Sequence, residues 1–379
     1  MNPKEEVNKE LNKSSERKIP YQYIDIDKLF NKVYPKVKPA KKKKEKLEVK
    51  KVKKERATYS QDWPAYNQAQ SREKLYLMRF LDELLDYIPF PEHKNVGRKP
   101  VQLRDKIFYL TLQAYNIKSS RRCIADLEIS KKLKYIDKAP HFNTVLKCLN
   151  DPSLISYFKH LINVSGLPLQ QVEKDFAVDS SGFSTSQFDR WFEARNQKKN
   201  TVRRFRKCHI TCGVKTNIIT AVNITRGYAA DSPQFKDLVL ETNKIYDIRE
   251  ISADKAYSSR ANLNTVSQIG GIAYVPFKKN TTGKHRKGSL LWGRMYRYYL
   301  NHQEEFMGHY HKRSNSETVF HMLKMKFGKH IRSKNEIGQA NEILAKCLAH
   351  NICVLIQEMF ELKIPIDFNK CADIEIAHN

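Results

Sequence analysis

The sequence predicts an α/β fold, a mixed sheet flanked by helices, preceded by a helical region and a disordered basic arm. Three observations carry this reading. Short runs rich in β-branched residues alternate with helical patterns from Phe176 onward. Apolar residues recur at helical spacing between Ser71 and about residue 170. The first stretch of chain is dominated by Lys and cannot bury enough apolar surface to offset its ordering entropy.

The arm, residues 1–70, contains Pro35-Lys36-Val37-Lys38-Pro39-Ala40 followed by Lys41 to Lys44. Leu77, Phe80, Leu81, Leu84 and Leu85 then mark a helix that Pro89 and Pro91 end. Leu103, Ile107, Leu110 and Leu112 mark a second. Ser119 or Ser120 caps a third, and Asn143 or Thr144 starts a fourth. Tyr157, Phe158, Leu161 and Ile162 belong to a fifth. With Arg121, Arg122, Lys131, Lys132 and Lys134 between them, these short helices read as a helix-turn-helix-like DNA-binding region over 71–170. A small helical bundle without that role has the same pattern.

From 171 to 335 the pattern is that of the sheet domain. Phe176-Ala177-Val178 is a strand ending in Asp179, and Ser180-Ser181-Gly182 reads as the turn that breaks it. His209 to Val214 and Ile218 to Ile224 are strands of a hairpin. Asp231-Ser232-Pro233 caps a helix through Phe235 and Leu238. Glu250 to Ala253 is a strand leading into Asp254, and Ile272 to Pro276 another, with a helix through Leu263 and Val266 between them. A helix with Ile343, Leu344, Leu348, Ile352, Leu355 and Ile356 on its buried side opens the last segment, 336–379. The stretch 183–207, with Trp191, Phe192 and the basic run Arg203 to Lys207, is either a DNA contact or a covering helix.

The chain has 379 residues, 69 Lys+Arg against 41 Asp+Glu and a net charge of +28. Residues 1–58 hold 19 Lys+Arg and 9 Asp+Glu, a surplus of +10, which leaves +18 on the rest. The body itself is therefore basic, and a polyanion such as nucleic acid is the partner class that charge selects. At 40% apolar residues a real core forms, which excludes a wholly disordered basic binder. No run of some eighteen uncharged apolar residues occurs, so no membrane partner is expected. The seven Cys are scattered singles, which argues for reduced thiols in a cytoplasmic chain and against a zinc site. Cys208 and Cys212 share a face of a strand. There is no HExxH, and the 12 His read as structural or surface groups.

Asp179 and Asp254 each close a predicted strand, where α/β sheets place their chemistry. Glu317 lies in the helical stretch Tyr310 to Lys324. At about 100° per residue, Arg313, Glu317 and Lys324 fall within roughly 60° of Tyr310, beside an apolar stripe of Phe320, Leu323 and Phe327. A carboxylate thus shares a helix margin with two cations and a phenol. Converging carboxylates suit hard, oxygen-seeking Mg²⁺ or Mn²⁺. An ordinary Arg313–Glu317 ion pair on an amphipathic helix is the plainer alternative.

Tyr310-x2-Arg313-x3-Glu317-x6-Lys324 resembles the signature around the third acidic residue of DDE transposases of prokaryotic insertion sequences. Ala177 to Gly182 resembles the family's first-Asp segment and Ser252 to Tyr257 its second. The resemblance spans about 100–360 and implies a ribonuclease-H-like catalytic core. It implies that Asp179, Asp254 and Glu317 are catalytic and hold two Mg²⁺ or Mn²⁺ ions for in-line attack on a phosphodiester. Arg313 and Lys324 would grip phosphates, and Tyr310 would bond a phosphate or stack on an unpaired base. The implied partners are double-stranded DNA, as element ends and target, and a second copy on synapsis; the implied setting is the nucleoid. A DNA-binding descendant that has lost the reaction, or a structure-selective nuclease with the same core, are the alternatives.

Overall fold

The order of elements places a five-stranded sheet between helices contributed from both ends of the described chain. A computed structural model describes residues 62–90, 100–185, 205–281 and 290–368, all within one unit, Ser60–Asn379. The expected arm up to residue 61 lies outside the described residues, as do Trp191, Phe192, Arg203, Arg204 and residues 369–379.

Helix α1, Trp63–Asp86, starts before Ser71, because Asp62 caps it and Pro64 fits its first turn. Helices α2 (Leu103–Asn116), α3 (Ser120–Lys132), α4 (Phe142–Leu149) and α5 (Leu154–Val164) follow. Ser119 caps α3, accepting the Arg122 N–H. Helix α4 begins earlier than Asn143, with His141 Nδ1 accepting the Asn143 N–H at 3.3 Å.

The strands are β1 (Asp175–Ser184), β2 (Phe205–Gly213), β3 (Ile219–Arg226), β4 (Glu250–Ala253) and β5 (Ile272–Tyr274), in spatial order β3-β2-β1-β4-β5. The β1–β2 and β2–β3 pairs are antiparallel, and β1–β4 and β4–β5 are parallel. The reading of Ser180 to Gly182 as a turn is corrected: β1 continues to Ser184, pairing Ser180 with His209 and Ser181 with Cys208. Strand β4 stops pairing at Ala253 while β2 runs on beside β1, so Asp179 sits within a strand at the point where one neighbour ends.

The β2–β3 hairpin closes on Glu173, which is fully buried and accepts the backbone N–H groups of Lys215 and Thr216 and the Thr216 hydroxyl. A Cβ at Gly213 would fall 2.4 Å from the Glu173 carboxyl carbon, so only glycine fits that approach.

The connecting and flanking helices are α6 (Phe235–Asn243), α7 (Arg260–Gln268), α8 (Leu290–Asn301), α9 (Gln303–Tyr310), α10 (Ser314–Phe327) and α11 (Glu336–Glu361). Helix α11 packs on α1, α2 and α5 and reaches β3. By length and composition it could cross a membrane, but 83% of its most apolar window is buried inside the fold. Its apolarity is that of a core helix.

Asn351 ties α11 to the sheet: it accepts the Ile219 N–H at 2.9 Å and donates to Ile219 O, Ile162 O and Ser165 Oγ. Asn351→Leu leaves the buried Ile219 N–H without its partner, while Ile162 O still accepts from Ser165 Oγ. The expected loss of stability in urea denaturation is about 2–3 kcal/mol. An unchanged midpoint would remove Asn351 from the fold's buried polar network.

Candidate active site

Strand register assembles the first part of the site. Val178 and Ala253 are parallel partners, and each is followed directly by an aspartate. Asp179 and Asp254 therefore lie on neighbouring strand positions, about 5 Å apart in backbone spacing. Asp254 leaves β4 and caps the 3-10 turn Lys255–Tyr257, accepting the Lys255 N–H through Oδ1 at 2.7 Å. Asp179 Oδ1 accepts the Ser180 N–H at 2.8 Å.

The chain supplies the second part after a further sixty residues or so of sequence. The 3-10 turn His311–Arg313 separates α9 from α10, so the single helix expected from Tyr310 to Lys324 is corrected to two helices with a tighter turn between them. The turn carries Lys312 inward. Its ammonium binds Asp175 Oδ2 at 2.8 Å and also Glu250, two buried carboxylates at the start of β1 and β4. His309 Nδ1 lies 2.6 Å from the same Glu250, its ring stacked 4.2 Å from Tyr274. Arg249 completes the group on Asp175 at 2.6 Å.

With Lys312 held there, Arg313 turns onto the acidic site. Arg313 Nη1 donates to Asp179 Oδ2 at 2.8 Å, and Nη2 pairs with Glu317 one turn on. Ser316 Oγ reaches the same Asp179 oxygen at 3.2 Å. The two halves of this bridge differ in weight. Asp179 and Arg313 are 17% and 20% exposed at the side chain, so their attraction is weakly screened, whereas Glu317 is 61% exposed and its i,i+4 pair adds only about 0.3–0.5 kcal/mol. Burial pushes the Asp179 carboxyl above its usual range, and the charge of Asp254 adds to this. The Ser180 N–H and Arg313 pull it the other way. The site therefore holds more negative charge than it solvates comfortably.

The structure thus joins Asp179 to Asp254 by register and to Glu317 through a shared guanidinium. Among the described residues, no three His, Cys, Asp or Glu side chains are grouped closely enough to clasp one ion. Arg313 lies between two of the three carboxylates, Asp179 and Glu317. The donor set itself is all oxygen and fits Mg²⁺ or Mn²⁺. The other two signature residues are placed as follows. Tyr310 has the Arg313 guanidinium carbon 6.0 Å from its ring centre. Lys324 donates to Ser181 Oγ at 2.5 Å and lies over the rings of Phe183 and Phe320.

Several neighbours escaped the sequence reading. Asp231, taken as a helix cap, instead accepts Ser180 Oγ and Lys207 Nζ, both at 2.6 Å. Lys312 was given no role. Tyr257 lay in the second-Asp segment with no role. The alternation of β1 was the available signal for Ser180 and Ser181, obscured by their turn-like composition. A cavity of about 270 Å³ lined by Leu110, Ile117, Leu146, Phe327 and Lys346 lies among the helices, and none of the three acidic residues borders it.

Among solved structures, the cryo-EM structure of a piggyBac transposase synaptic complex with hairpin DNA aligns over 79% of this chain and 76% of that one. The TM-score is 0.35 and the identity 10%, a likeness too low to carry an argument. Residues 170–352, which contain the whole sheet together with Asp179, Asp254 and Glu317, match the family model of the transposase DDE domain, and that match supports a DDE transposase.

Proposed function

We propose that the chain is a metal-dependent DNA transposase that cleaves and joins strands at the ends of an insertion sequence, working from a ribonuclease-H-like core. The observation that carries this is the β1–β4 register, which sets Asp179 beside Asp254, with Glu317 brought to Asp179 across Arg313. The sheet order, with an antiparallel β1–β2–β3 meander and two parallel strands beyond it, supports that core.

In this reading Asp179, Asp254 and Glu317 hold the divalent ions. When bound, those ions supply an activated attacking oxygen and a stabilised leaving oxygen. The chain's own residues do the rest. The Ser180 N–H orients Asp179, and the Lys255 N–H orients Asp254. Arg313 gives up Asp179 and Glu317 and becomes free to pair bidentately with a phosphate. Lys324 and Tyr310 stand on the same side of the site as further phosphate contacts, and the charge of +28 draws the duplex in. The helices α2 to α5, with Arg121 and Arg122 on α3, are the proposed DNA-reading region.

One observation favours a second reading, a DNA-binding chain without the reaction: Arg313 already neutralises two of the three carboxylates. Incubating the full chain with a duplex carrying the element end, a target duplex and Mg²⁺ separates the readings. Cleavage with joining supports the transposase, cleavage alone the nuclease, and binding alone the inactive form.

Arg313→Met offers a second check. Without divalent ions the variant is expected to melt below the wild type, since Asp179 loses its cation. Added Mn²⁺ should raise its melting temperature more than the wild type's, because no guanidinium has to be displaced. Equal Mn²⁺ shifts in the two proteins would show that Arg313 does not compete for the site.

A further inference from the structure

We propose that Arg260, at the start of α7, is a phosphate anchor beside the acidic site, its guanidinium taking a DNA backbone phosphate a few nucleotides from the scissile one. The inference deepens the reading of the chain as a DNA transposase and rests on it.

Arg260 follows Asp254 by six positions, and the chain between them is tightly folded. Asp254 caps the 3-10 turn Lys255–Tyr257, whose closing bonds run from the Tyr257 N–H to Asp254 O at 2.9 Å and from the Ser258 N–H to Lys255 O at 3.2 Å. Ser259 then caps α7, its Oγ accepting the Asn262 N–H at 3.1 Å. At about 2 Å per residue through the turn and about 3.3 Å through the serines, the two backbones stand within roughly 16 Å. One DNA strand carries a phosphate every ~3.4 Å of axis, so that span covers no more than about five phosphates.

The side chain is unpaired where pairing matters. Arg260 is only partly exposed, its Nε is buried without an acceptor, and it forms no ion pair or side-chain hydrogen bond among the described residues. What it has is the ring of Trp292 on α8, whose centre lies 5.0 Å from the guanidinium carbon. Trp292 is 7% exposed and set edge-on to Phe277, with centroids 4.9 Å apart, so the indole beneath the cation is fixed. That ring attracts the charge but supplies no oxygen to the N–H donors. Helix position adds to the imbalance: Arg260 is the first residue of α7, where the electropositive helix start disfavours a cation. Two residues earlier, Ser258 Oγ is likewise buried without a partner. Asp231 is committed to Ser180 and Lys207 instead. An unpaired charge held partly out of water is costly, and folds retain such groups where a ligand explains them. A phosphodiester fits this one. The planar guanidinium matches two phosphate oxygens, and the charge of +28 draws a polyanion in. The ring holds the guanidinium in place beforehand, so less side-chain freedom is lost on binding.

The test uses the full chain and a duplex carrying the element end, with Arg260→Met, Arg260→Lys and, as a control, Lys244→Met. Met keeps an apolar chain over Trp292. Lys244 follows α6 and is 57% exposed, so its variant loses the same charge before β4 begins, away from the acidic end of the sheet. Three quantities are read: melting temperature, duplex affinity against salt without divalent ions, and cleavage with Mg²⁺ at limiting duplex. Arg260→Met is expected to melt close to the wild type and to bind the duplex about 10-fold more weakly at low salt. The slope of its log affinity against log salt should fall by about one, and cleavage should drop by the same factor as affinity. Arg260→Lys should keep the slope and recover only part of the affinity, since a point charge replaces the fork. Lys244→Met should leave both nearly unchanged. A wild-type slope in Arg260→Met would overturn the proposal, and a lowered melting temperature with that slope would assign the residue to packing alone. An equal loss in Lys244→Met would also overturn it, making Arg260 one unit of net charge among many. If Arg260→Met does not fold, Arg260→Lys decides: weaker binding at the wild-type slope supports the anchor, and unchanged affinity overturns it. Should the wild type itself bind the duplex without salt dependence, the DNA reading fails first, and the anchor falls with it.

Discussion

Asp179→Asn is expected to reduce strand cleavage by on the order of 10²–10³-fold or more, the scale on which a positioned electrostatic group contributes to a transition state, while duplex binding survives. The substitution is nearly isosteric, so it tests charge without disturbing β1. Burial already pushes the Asp179 carboxyl up, which means that folding disfavours its ionised form at neutral pH. The amide relieves that burial cost but sets its NH2 against either the Ser180 N–H or Arg313, so the net change in stability should be small. Losing a negative charge from the proposed DNA-facing surface should also strengthen duplex affinity modestly at low salt. Asp254→Asn and Glu317→Gln should behave alike in the cleavage assay. Near-normal turnover in any one of the three would remove that residue from the reaction.

The second large effect concerns acid stability. His350 on α11 is fully buried, its Nε2 3.0 Å from Asn217 O, and burial lowers its pKa from 6.5 to about 4, with Lys326 adding to the effect. In the unfolded chain it takes up a proton near pH 6.5, whereas in the fold it resists until about pH 4. The unfolded state binds more protons in that interval, so this group contributes no penalty above pH 6.5 and destabilises progressively as pH falls to about 4. The full difference is worth about 3 kcal/mol. Burial raises Asp105 to about 6 and Glu358 to about 7, and these act oppositely within much the same window. The clean measurement is therefore a difference. His350→Gln keeps a donor for Asn217 and removes the titration. Its stability relative to the wild type should improve by about 3 kcal/mol between pH 7 and pH 4. A pH-independent difference would show that His350 ionises in the fold as readily as outside it.

The β-branched runs of β2, β3 and β4 marked the sheet because a half-buried pleated surface selects those residues over short windows. The same windows placed Asp179 and Asp254, since each follows an apolar run directly. Ser180 and Ser181 were misplaced for a complementary reason. Polar residues within a strand look like a turn until their partners, Asp231 and Lys324, are brought in from 51 and 143 residues away. Helical periodicity predicted the face of α10 but could not detect the 3-10 turn before it. At that turn Lys312 reaches Asp175 and Glu250, 137 and 62 positions back. The direction of Arg313 follows from it.

Helix α11 carries a consequence for biosynthesis. It fills the space against α1, α2, α5 and β3, so a nascent polypeptide that has released its sheet from the ribosome still lacks the wedge that seals it. Completion awaits translation through about Ile356, and until then the apolar sides of the earlier segments stay open to chaperones. A premature stop codon within α11 should accordingly yield aggregated material and not a shorter working protein.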